Sequence, residues 1–88
     1  MSEILNVPGS DDVVAMLDYL GGPGVQDNIR RLTSSGEVVW SAAPPGPEPD
    51  GWDGVERDGN EVVADSRSGY IVRLDLATGA ERSRRRRR

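Results

Sequence analysis

The chain has 88 residues, 15 acids against 11 arginines, no lysine, no cysteine and no histidine. That length suits one domain. The missing residue types exclude disulfides, thiolate metal sites and the usual side chains for proton transfer or nucleophilic attack near neutral pH. No apolar run approaches the ~18 residues of a membrane span, and the first residues lack the basic-then-apolar layout of a secretion signal. A soluble, cytoplasmic protein is therefore expected. Valine leads the apolar residues with ten copies and phenylalanine is absent, a balance that favours strands over helices.

In chain order, the first candidate strand is EILNV at 3–7, followed by DVVA at 12–15. The stretch 11–20 has a second reading as a short helix. Val13, Met16, Leu17 and Leu20 would form its stripe, with Ser10 as N-cap and the following Gly-Gly as its stop; strand is preferred. YLGGPGVQD then forms a glycine-rich protrusion over 20–27, whose GGPG lacks the lysine and spacing of a phosphate loop. IRRL at 29–32, the TSSGE turn and EVVWSA at 37–42 complete a first unit. Val38, Trp40 and Ala42 should share one face of the last strand. Around Ile29 no apolar face stands out, so this strand is either an edge or differs in register from its counterpart.

AAPPGPEPDG at 42–51 holds four prolines, which cannot donate to a ladder and mark a boundary. GWDGVE at 51–56, the DGN turn, EVVA at 61–64, the Ser-Gly turn at 68–69 and YIVRLDLATG follow. Tyr70, Val72, Leu74 and Leu76 alternate with Ile71, Arg73, Asp75 and Ala77, as a half-buried strand requires. The two units answer each other: DVVA matches EVVA, IRRL matches IVRL, and each is followed by a glycine turn. The expected fold is all-β, with two four-stranded antiparallel sheets in one domain over 1–83, built from units 1–43 and 51–83.

IRRLTSSGEVVW and YIVRLDLATGAE resemble the inner strands and turn of the PQQ-like β-propeller repeat, in which a tryptophan follows the turn glycine by four residues. Gly36 and Trp40 keep that spacing; Gly79 and Ser83 keep it without the tryptophan. The run SRSGYIVRLDLATG is also similar to small stand-alone bacterial proteins carrying two such units. The resemblance implies blade-like sheets, as a half-propeller or small sandwich. It implies no cofactor, because two blades cannot close the ring in which such propellers hold their quinone.

Two features invite a functional reading. The first is the acidic loop around Trp52, where Glu48, Asp50, Asp53 and Glu56 suggest a sugar site with paired carboxylates or a calcium loop. The D-x-D-x-D-G spacing is absent, and a surface loop with Trp52 tucked against the sheet is the preferred reading. The second is the arginine run Arg84, Arg85, Arg86, Arg87 and Arg88. Without it, residues 1–83 carry 15 acids against 6 arginines, a net charge of −9, so any attraction to polyanions would lie in the tail. The ladder is expected to stop near Ser83, with 84–88 disordered by mutual repulsion.

Together these residues predict a non-enzymatic β-domain that works through contact with another protein. Its surfaces would be Trp52, Asp50, Asp53 and Glu56, the 20–27 protrusion, the arginine tail and the open sheet edges, which also offer a route to a homodimer. The alternative is a nucleic-acid accessory tethered by the tail. No metal, cofactor or membrane partner is expected.

Overall fold

The computed structural model describes residues 3–16, 29–46 and 50–87. Among them eight strands form: β1 Glu3–Asn6, β2 Val13–Met16, β3 Ile29–Leu32, β4 Val38–Ala42, β5 Trp52–Asp58, β6 Glu61–Ser66, β7 Tyr70–Asp75 and β8 Glu81–Arg86. They make two antiparallel sheets, β1-β2-β3-β4 and β5-β6-β7-β8, each a meander in sequence order. The all-β expectation holds. The helix alternative fails at Val13–Met16, which is strand; Leu17 to Leu20 and the 20–27 protrusion lie outside the described residues.

The duplication extends to the hydrogen-bond register. Val13, Val14 and Ala15 of β2 face Leu32, Arg31 and Arg30 of β3. Val62, Val63 and Ala64 of β6 face Leu74, Arg73 and Val72 of β7 in the same order. The last hairpin of each sheet even carries its bulge at the same place. Arg31 faces Trp40 while Leu32 faces Val38, and Arg73 faces Ser83 while Leu74 faces Glu81. Val39 and Arg82 are thus the extra residues. A bulge breaks the period-two alternation, so Val38 leaves the face of Trp40 and Ala42 and stands 52% exposed.

Directly paired residues share a sheet face, which shows that the two sheets bury opposite faces. The first sheet buries Val14, Met16, Ile29, Trp40 and Ala42, with Arg31 beside them. The second buries Trp52, Val55, Val62, Ala64, Val72 and Leu74. Val14 corresponds in register to Val63, which is only half-buried on the outer side of its sheet. The face of one sheet therefore packs on the reverse face of the other, and their closest approach joins β1 and β2 to β5. Val14, Ile29, Val62 and Val72 are fully enclosed, each worth about 1.5–3 kcal/mol of transfer free energy.

This settles the strand around Ile29. It is neither an edge nor out of register; β3 lies inside its sheet. Its buried face is Ile29 and Arg31, because Arg31 is satisfied there. Its Nε donates to Asp12 Oδ2 at 2.9 Å and its Nη1 to the carbonyl of Leu76, in the other sheet, at 3.0 Å.

Both tryptophans fasten one unit to the other. Trp40 Nε1 donates to the same Leu76 carbonyl at 3.0 Å, and Trp52 Nε1 to the Ala42 carbonyl at 2.9 Å. Trp40 lies flat on Gly79, where an added Cβ would come within 2.6 Å of the indole ring. With φ of 76°, Gly79 also holds a backbone conformation that other residues reach at a cost. The proline-rich crossing is pinned by Asp50, which is 1% exposed. Its Oδ1 accepts from the amides of Gly51 and Ser68, and its Oδ2 from the amide of Gly46 and the Ser68 hydroxyl, all at 2.8–3.0 Å.

Candidate protein interface

The acidic loop does not assemble a site. Asp50 and Trp52 are buried with their polar atoms engaged inside the protein. Asp53 is exposed and 3.5 Å from Arg67, and Glu56 stands on the outer face of the second sheet opposite Val63. Glu48 lies outside the described residues. The three described carboxylates thus separate into an internal pin, a surface ion pair and a solvated face. Among the described residues no three of His, Cys, Asp and Glu are placed to hold a metal ion, and no helix is long and apolar enough to cross a membrane.

The arginine run is the larger correction. Arg84, Arg85 and Arg86 belong to β8, so the ladder passes Ser83 by three residues. The Arg87 amide donates to the Gly69 carbonyl at 2.8 Å and prolongs it. Arg88 lies outside the described residues. Repulsion within the run is offset by specific partners in the second sheet. Arg84 pairs with Val72 and Arg86 with Tyr70 across the ladder, and their guanidinium carbons lie 5.8 and 5.2 Å from the Tyr70 ring centroid. Arg86 also donates to the Tyr70 hydroxyl at 3.2 Å.

Local acids hold the rest. Arg84 forks onto Glu81 at 2.8 and 3.0 Å, which raises the arginine pKa further above its usual value. Arg82 binds Asp75 through Nη2 and, at 3.2 Å, through Nε. With the amides of Thr78 and Ala77 also donating to it, Asp75 is held at about 2, well below the usual carboxylate range, Arg82 being the largest cause. Arg73 donates to both Asp58 and Glu61 at 2.9 Å and is raised by them.

What results is an edge strand whose six residues are all exposed. It pairs with β7 alone and has no strand on its other side among the described residues. Arg84 and Arg86 project on one face, while Arg85 projects on the other, beside a groove of about 520 Å³ that includes Glu56, Asp58, Asp65 and Ile71. Sequence reasoning missed Tyr70 as the platform for this strand. The signal was present: counting back through the Gly79 turn, bulge included, puts Arg86 opposite Tyr70. Compared with known proteins, the chain matches no family model, no curated protein and no solved structure.

Proposed function

We propose that this chain is a non-enzymatic binding module that receives an acidic, extended segment of another protein along β8. The observation that carries this reading is an ordered edge strand bearing arginines on both of its faces. An added strand would gain main-chain hydrogen bonds along the edge. Its alternating side chains would meet Arg84 and Arg86 on one side and Arg85 on the other, so consecutive Asp and Glu suit it best. A second β8 would bring arginine against arginine, which disfavours the edge-to-edge homodimer. We read the two sheets as blade-like units, supported by their common register and the packing of one sheet's face on the other's reverse.

Tethering to nucleic acid is the less favoured reading, because an oligonucleotide supplies no peptide backbone to extend the ladder at the open edge of β8. Backbone amide shifts on titration with a poly-glutamate octapeptide, and separately with a single-stranded octanucleotide, decide between the two. The peptide should move β8 resonances, and the double variant R84E/R86E should weaken its binding by roughly five-fold or more. A β8 response to the oligonucleotide alone would overturn the proposal.

A further inference from the structure

The joint between the two sheets has two halves, and each recurs on the opposite, outward side of the molecule. The clamp half lies on the first sheet, where the Arg31–Asp12 pair and Trp40 reach the Leu76 carbonyl. Its register equivalents on the outer face of the second sheet are Arg73, ion-paired with Glu61, and Ser83 in place of Trp40. Val63 and Ile71 likewise repeat Val14 and Ile29.

The socket half lies on the second sheet, in Val55, Val62, Ala64, Leu74 and the turn ending at Gly79. Its equivalents on the outer face of the first sheet are Ile4, Val13, Ala15, Leu32 and the turn ending at Gly36. These four positions stay apolar, while Arg30 stands where the socket has Val72, and Ala15 is 3% exposed. Gly36 repeats the positive φ of Gly79, at 91°, but a Cβ added there meets nothing within 4 Å. Ile4 and Val38 on this face are 50% and 52% exposed.

From this repetition we infer that the chain self-associates head to tail. The outer face of the second sheet in one copy docks on the outer face of the first sheet in the next, reusing the geometry of the internal joint. Charge favours the same direction. The clamp face carries five carboxylates against Arg73, Arg82 and Arg85, whereas among the described residues the charged strand residue on the socket face is Arg30. Two socket faces meeting each other would bring no such complementarity. The contact is heterologous, so repeated rotation either closes a ring or propagates.

It is also weaker than the internal joint, since Ser83 supplies no indole, and Glu56 and Asp65 stand where Leu5 and Met16 lie in the first sheet. A patch of four short strands falls at the small end of specific interfaces, below about 1,200 Å² in total. Association is therefore expected only at high micromolar concentration.

Sedimentation velocity over a wide concentration range tests this with three variants. S83W restores the missing indole on an exposed residue and should tighten association roughly thirty-fold, as a buried interface tryptophan does. V38E blocks the socket and R73E the clamp. Each alone should remain monomeric, and their equimolar mixture should form a one-to-one dimer through the two intact faces. Three results would overturn the inference: a monomeric S83W at every concentration, an R73E that associates like the parent chain, or a mixture that stays monomeric. Circular dichroism on each variant establishes that the sheets are intact.

Discussion

At the scale of single residues, the Leu76 carbonyl is the point on which the two halves of the molecule meet, since it accepts from both Arg31 and Trp40. Trp40 contributes a hydrogen bond and a large buried ring, and the two can be separated. W40F keeps most of the ring and loses the bond, at about 1 kcal/mol. W40A removes both, at about 3–5 kcal/mol. For a chain of this length the whole stability is of the order of 4–13 kcal/mol, so the alanine variant should lose about a quarter of it or more. Urea denaturation followed by circular dichroism measures both losses. Similar costs for the two variants would show that the ring's burial matters less than its N–H.

Single residues also show why the acidic loop misled. Asp50 and Asp53 look alike in sequence, both beside a glycine near Trp52. What separates them is the Ser68 turn, which folds back to offer Asp50 an amide and a hydroxyl. That contact spans eighteen residues, and no local pattern encodes it.

At the scale of elements, the β7–β8 turn holds a titratable group with a defined role. Asp75 is lowered from 3.8 to about 2 by Arg82 and the amides of Thr78 and Ala77. A depressed carboxylate stabilises the fold at pH above its unfolded value, and the contribution disappears as pH falls through the folded value. The urea midpoint of the parent chain should therefore drop between about pH 4 and 2 more steeply than that of D75N. Parallel curves for the two proteins would remove Asp75 as a cause. The strands themselves were largely legible, because alternation at 70–77 and the paired VVA runs reflect burial on one side only. The end of β8 was not. Arginine alternation carries no hydrophobic signal, and the strand is held by Tyr70, Glu81 and the ladder rather than by burial. The bulge at Val39 was hidden for the same reason: bulges displace side chains without changing the composition that announces a strand.

At the scale of the whole molecule, each sheet pairs strands that are neighbours in sequence, while the joint links residues such as Trp40 and Leu76, far apart along the chain. Local pairings form with less chain entropy to lose than distant ones. Trp40 and Trp52 are the molecule's two indoles, and each donates to a carbonyl of the other unit. Intrinsic fluorescence thus reports whether the halves are docked, and far-ultraviolet dichroism whether strands exist. In a stopped-flow refolding experiment the dichroism signal should precede the emission change, and coincident traces would mean that neither sheet persists without its neighbour.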